Sequence, residues 1–132
     1  GADNEAALDL QIRKLAKKVE AGAKFIQTQG VYDLDLFEKF MRRIEGFNVK
    51  VLGGIILLKS VGMARYMNKN VAGVFVPESL IGELKAAEKK SEASVKIAVR
   101  LVEGMKDMCD GVHIMALGWE KKIPQILDAA NL

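Results

Sequence analysis

The sequence predicts an α/β fold in which parallel strands alternate with helices, amounting to about half of an eight-stranded barrel. Three observations carry that expectation. Short apolar runs of strand character alternate with longer stretches of helical periodicity along the 132 residues. The run from Val51 to Leu58 is almost unbroken in apolar residues, which suits a strand covered on both faces, as in a parallel sheet. The charged helix ending in Lys17-Lys18-Val19-Glu20-Ala21-Gly22 feeds directly into Phe25-Ile26-Gln27-Thr28-Gln29, a strand that finishes in polar residues. Strands separated by helices are joined by right-handed crossovers and therefore run parallel. A complete barrel takes about 250 residues, so three or four strands leave open edges that need a partner, a swap or a further segment. The chain begins with Gly1 and enters a helix almost at once, so the expectation is a single α/β segment over 1–132 that is a fragment or cleavage product of a longer polypeptide.

The elements follow in order. Leu8, Ile12, Leu15 and Val19 recur at helical spacing and predict a helix over 5–20. Gly22 supplies the left-handed backbone that a helix stop favours. In the strand over 25–29, Phe25, Gln27 and Gln29 share one face while Ile26 and Thr28 share the other. A face with two glutamines is not plain core, so Gln29, at the carboxyl end, either reaches a ligand or closes the turn. Phe37, Phe40, Met41 and Ile44 stripe a helix over 34–45, with Asp33 or Asp35 as cap. A strand over 50–58 precedes a short helix capped by Ser60 and running through Tyr66 and Met67. Gly73 to Val76 reads as a further strand stopped by Pro77, followed by a helix over 78–90. Ser91 or Ser94 opens the next helix, which turns Val95, Ala98, Val99, Val102 and Met105 inward. A last strand over 111–117 and a helix over 120–130 close the chain.

Composition narrows the function. Half of the residues are apolar and 28% are charged, the balance of a globular domain. The net charge of +3 is spread among acids, which argues against a nucleic-acid stripe and leaves room for a local anion site. No apolar run reaches membrane-spanning length and nothing resembles a signal peptide, so no membrane is expected and the compartment is read as cytoplasmic. The single cysteine, Cys109, has no basic neighbour and reads as a buried structural thiol. His113, the one histidine, lies between Val112 and Ile114 and reads as a buried, hydrogen-bonded core residue; no second histidine or cysteine cluster completes a metal site. Gly53-Gly54 lacks the spacing and following lysine of a phosphate loop and reads as a place of close backbone packing.

Lys18 to Gln29 followed by Tyr32-Asp33 resembles the helix, strand and loop signature of methylenetetrahydrofolate reductases, flavin-dependent enzymes of the TIM-barrel fold. Gly54-Ile55-Ile56 with Leu58-Lys59-Ser60, then Met63-Ala64-Arg65-Tyr66-Met67, Gly73 to Pro77 and Gly111 to Met115 are similar in order and spacing to that family's last third. The resemblance spans the whole chain and implies the carboxyl-terminal half of the barrel. It implies reduction of 5,10-methylenetetrahydrofolate to 5-methyltetrahydrofolate, in one-carbon metabolism and methionine biosynthesis. The implied cofactor is FAD, with FMN as the alternative, and the implied partners are a tetrahydrofolate substrate, NAD(P)H or another reduced donor, and the missing amino-terminal half, a second copy or a partner subunit.

Residue by residue, the resemblance places Gln29 at the glutamine that contacts folate and nicotinamide. Lys18 falls at a basic residue binding the FAD tail, with Lys14 and Lys17 at neighbouring contact positions. The spacing of these lysines puts them on one helical surface, where a diphosphate site and a solvated face are both open readings. Gln11 stands where some members carry an aspartate near the flavin's adenosine end. Met63 stands where a second glutamine contacts substrate, with Met67 beside it as an adaptable apolar wall. Trp119 stands where an arginine faces the folate tail, and either stacks on a ligand or seals the barrel mouth. The family's general-acid glutamate has no counterpart here, so no catalytic residue is assigned and the chain alone is expected to be inactive. The rival expectation is a non-catalytic half-barrel module acting by self-association or by docking on a partner.

Overall fold

Helix α1 (Ala2–Glu20) turns Leu8 and Leu15 into the core, and its end is set by local chemistry. Gly22 takes φ +104°, the Ala23 amide donates to the Lys18 carbonyl at 2.9 Å and the Gly22 amide donates to the Val19 carbonyl at 3.0 Å. This paired closure satisfies the last carbonyls and aims the chain into β1 (Phe25–Gly30). The structure, a computed structural model, describes residues 2–71, 73–116 and 118–130. Helix α2 (Leu34–Arg43) starts at Asp33, whose carboxylate accepts from the Leu36 amide at 3.1 Å. Strand β2 (Lys50–Ile56) leads to α3 (Val61–Asn70), where the Ser60 hydroxyl accepts from the Met63 amide at 3.0 Å. Then follow α4 (Glu78–Ala86), α5 (Lys90–Met105), β3 (Gly111–Met115), a 3₁₀ turn (Glu120–Lys122) and α6 (Ile123–Ala129).

The described strands form one parallel sheet in the order β1-β2-β3. Its middle strand carries the packing. Gly53 faces the helices, where a Cβ would meet Met105 Cε at 2.1 Å and Phe37 Cζ at 3.5 Å. Gly54 faces the other way, where a Cβ would come within 2.8 Å of the Thr28 carbonyl oxygen. The close-packing reading of this glycine pair is thus correct on both sides. The β1–β2 pairing runs Gln27↔Leu52 and then Gly30↔Gly54, so β1 spends one residue more than β2 and bulges at Thr28-Gln29. Val51 and Ile55 are buried on the helix side with Phe37, Phe40, Val102 and Met105. Register partners share a face, which puts Gln27, Leu52, His113 and Met115 on the opposite side.

Five expectations need correction. Neither Ser91 nor Ser94 opens α5: the helix starts at Lys90, and Lys89 before it makes no side-chain cap. Gly73 to Val76 is not a strand: the Asn68 side chain occupies Val76 on both sides, accepting from its amide at 2.6 Å and donating to its carbonyl at 3.0 Å. The helix expected over 78–90 stops at Ala86, because the Lys90 ammonium bonds the carbonyls of Leu84, Lys85 and Ala87 and α5 begins at that lysine. The closing helix opens as a 3₁₀ turn and becomes α-helical at Ile123, since Pro124 is tolerated in the first turn alone. His113 is exposed, not buried, because it points from β3 to the face that the helices leave open. Strand β3 ends at Met115, and Leu117, expected within it, lies outside the described residues. Among the described residues, no helix is long and apolar enough to cross a membrane.

Gly54→Ala should lower stability by about 1–3 kcal/mol, since the new methyl meets rigid backbone. Gly62→Ala, in α3, where a Cβ would make only an ordinary contact with Ser60 Oγ at 3.9 Å, should stabilise by about 0.5–1 kcal/mol. Urea unfolding of the two variants checks the contrast, and equal shifts would contradict this reading of β2.

Candidate ligand-binding site

A cleft of about 550 Å³ runs along the outer edge of β1 towards its carboxyl end, walled by α1 and the start of α2. With Leu8 and Leu15 committed to the core, the same helix presents Gln11, Lys14 and Lys18 to the cleft at spacings of three and four residues. Both lysines are exposed, and among the described residues neither is in a salt bridge. Strand β1 contributes Gln27 and Gln29. Gly73 joins the two walls: its φ is +83°, its carbonyl accepts from Gln11 Nε2 at 3.4 Å, and a Cβ there would meet Gln11 Nε2 at 2.6 Å and Gln29 Cγ at 3.6 Å. The bare glycine is what lets two amide side chains from different elements stand at one place.

The cleft end is clamped where β1 leaves the sheet. Thr28 Oγ1 donates to the Gln29 carbonyl at 2.8 Å and accepts from the Gly54 amide at 2.9 Å, which holds the bulge in place. Two residues past the bulge, the Tyr32 hydroxyl donates to the Ile56 carbonyl at 2.6 Å and accepts from the Ile56 amide at 3.2 Å. The phenol thus takes the place of a ladder partner for β2. Its ring lies over Gly30, where a Cβ would be 2.9 Å from Cε2. Burial pushes the Tyr32 phenol well above its ordinary range, with the Ile56 hydrogen bond opposing. Cys109 is also raised by burial and donates to the Met105 and Gly111 carbonyls, as a structural thiol does.

The structure therefore gathers Gln11, Lys14, Lys18 and Gln29, and separates the other expected site residues from them. Lys17 does not line the cleft. Met67 is buried in the core at 5% exposure, and Met63 packs against that core from the same helix. Trp119 stands beyond β3, with Lys59 Nζ 5.2 Å and Lys122 Nζ 5.9 Å from its ring centroid. Sequence reasoning missed Tyr32, Gly73 and these two lysines as structural parts of the region. Tyr32 had a readable signal, a buried-type aromatic two residues after a strand-ending glycine; Gly73 had none, because its role depends on contact with Gln11 across the fold. Among the described residues, no group of three or more histidine, cysteine, aspartate and glutamate side chains could hold a metal.

A parallel sheet whose strands alternate with helices, with a cleft along its outer strand, defines an α/β protein. The chain belongs to the methylenetetrahydrofolate reductase family, a family of TIM-barrel oxidoreductases, whose sequence profile matches residues 2–131. It is 32% identical over 132 residues to methylenetetrahydrofolate reductase 2 of Schizosaccharomyces pombe, covering 89% of this chain and 20% of that protein. It is 26% identical over 136 residues to methylenetetrahydrofolate reductase 1 of the same yeast, covering 95% of this chain and 22% of that protein. The chain thus spans about a fifth of the length of these curated relatives.

Tyr32→Phe should cost about 1–3 kcal/mol, because the partly buried Ile56 amide and carbonyl lose their phenol partner. The phenol's raised folded-state value makes the protonated form the stabilising one. Its contribution is therefore full below the unfolded value near 10 and is lost as the pH rises beyond it. Urea midpoints from pH 8 to 11 should fall more steeply for the parent than for Tyr32→Phe; parallel curves would count against the clamp.

Proposed function

We propose that this chain supplies the flavin-tail and folate contacts of a reductase that converts 5,10-methylenetetrahydrofolate into 5-methyltetrahydrofolate. The observation that carries the reading is the placement of Lys14, Lys18 and Gln11 on one cleft wall beside Gln29 of β1. The donor set fits the cofactor. Two ammonium groups without salt-bridge partners among the described residues suit an anionic diphosphate, and this favours FAD over FMN. The family is generally flavin-dependent, and a bound flavin supplies hydride acceptance and donation.

Each residue then has a definite task. Lys14 and Lys18 hold the negative tail, and Gln11 gives that tail a neutral hydrogen-bonding partner while tethering the Gly73 loop. Gln29 offers a donor and an acceptor to a pterin edge without setting a charge beside the reacting carbon. Trp119 and Met63 border the substrate from the far side, and Met67 supports Met63 from the core. The Tyr32 clamp and the Thr28 bulge keep Gln29 in position. The electron donor is NAD(P)H or another reduced carrier, and the setting is cytoplasmic one-carbon metabolism.

In this reading the chain is the second half of the barrel, and an amino-terminal half brings the proton donor and the groups against the flavin ring. One observation favours a second reading, a half-barrel module that works by association: β1 and β3 are outer strands and Phe25 is 64% exposed. In a polypeptide that carries both halves, Gln29→Ala should reduce kcat/KM for methylenetetrahydrofolate about tenfold or more, with the flavin still bound, as expected for loss of about 1–2 kcal/mol of hydrogen bonding. Unchanged kcat/KM would remove Gln29 from the site.

A further inference from the structure

We infer that Asn68 is a positioning residue for the cleft beside β1: its side-chain amide holds residues 73–76 as a third wall, which sets Phe75 and the Gly73 carbonyl against the ligand. The inference rests on the flavin reading above for the ligand, and on geometry for the residue. Helix α3 gives a fixed base, because Ala64 and Met67 are buried in the core and Ser60 caps its start. Asn68 follows Met67 and reaches across to Val76. By accepting from the Val76 amide at 2.6 Å and donating to the Val76 carbonyl at 3.0 Å, one side-chain amide does for this segment what a neighbouring strand does in a sheet.

Burial along the segment shows what is being positioned. Val74 and Val76 are buried in the core, whereas Gly73 and Phe75 line the cleft, with Phe75 38% exposed. An extended chain alternates its sides in this way, so fixing Val76 fixes the side to which Phe75 and Gly73 turn. Gly73 then carries the effect to α1, because its carbonyl accepts from Gln11 Nε2 at 3.4 Å. That single hydrogen bond is long and exposed, and it is too weak to hold the wall alone. The paired bonds at Val76 are shorter and partly buried, so they set where the wall stands. If Asn68 served only to pin the turn between α3 and α4, its loss would lower stability and leave the cleft's affinity untouched.

The test uses the polypeptide that carries this chain, stripped of flavin and titrated with FAD, with quenching of the flavin fluorescence giving the dissociation constant. Asn68→Asp is the informative variant. Its carboxylate still accepts from the Val76 amide but has no proton for the carbonyl, and protonation restores one. A carboxyl facing a carbonyl oxygen in a partly buried place titrates above its ordinary value of about 3.9. The dissociation constant should therefore exceed the parent's about tenfold at pH 8, and the ratio should fall to about threefold or less at pH 5. Asn68→Leu, which offers neither group, should keep its ratio at both pH values. Gln11→Ala gives a second readout: the loss it causes should be at least about threefold smaller in the Asn68→Asp background than in the parent, because both changes remove one contact. Parental affinity of Asn68→Asp at pH 8, a ratio that ignores pH or moves equally in Asn68→Leu, or full additivity with Gln11→Ala would overturn the inference. Unchanged affinity in Lys14→Gln with Lys18→Gln would count against the flavin reading separately, and a parent that binds no FAD would remove both.

Discussion

The approach of the β1 bulge to Gly54 is the contact on which the rest of the structure depends. A parallel sheet normally holds adjacent strands at an even spacing, and here the extra residue at Thr28-Gln29 has to go somewhere. It goes over a residue with no side chain, with Thr28 closing the hydrogen bonds that the bulge opens. On the reverse side, Gly53 lets Met105 and Phe37 press against the same strand. One strand thus receives a helix layer on one face and a displaced neighbour on the other, and either crowding would fail with an alanine in place.

What the bulge positions is the end of β1. Gln29 sits on the displaced backbone, and Tyr32 then crosses to Ile56 and fastens the departing chain to β2. Helix α1 is tied to that end by the Gln11 to Gly73 hydrogen bond, while its glycine stop fixes how the chain enters the other end of β1. Lysines on that helix are therefore held beside glutamines on the strand by backbone geometry, and not by ion pairing between exposed side chains, which contributes little. A second set of charges collects where β2 and β3 end, around Trp119. The charges around Trp119 lie at the carboxyl ends of β2 and β3, whereas Lys18 lies one turn before the Gly22 stop that leads into the start of β1.

Much of this was legible in the residues and some was not. The helix at 2–20, the strands and the caps at Asp33 and Ser60 follow from periodicity, glycine stops and short polar side chains, all of which act over a few residues. Gly73 to Val76 has the composition of a strand, and it fails to become one because a distant asparagine, Asn68, takes the hydrogen bonds that a strand would need. His113 looks buried because its neighbours are apolar, yet which face a strand residue points to depends on where the helices pack. In the candidate site, spacing alone put Lys14, Lys17 and Lys18 together, and it took the packing of Leu8 and Leu15 to turn Lys14 and Lys18 to the cleft and leave Lys17 out. Resemblance pointed to Gln29; only the fold shows what holds it there.

The central claim is that the cleft beside β1 holds a flavin through Lys14 and Lys18. It is tested most directly by purifying the polypeptide that carries this chain, checking its intact mass, and recording its visible absorbance after desalting, for the parent and for Lys14→Gln with Lys18→Gln. The account predicts a yellow parent and a double variant that loses most of its flavin under the same wash, with the difference shrinking as salt screens the parent's charges. Equal flavin retention by the two proteins would contradict it.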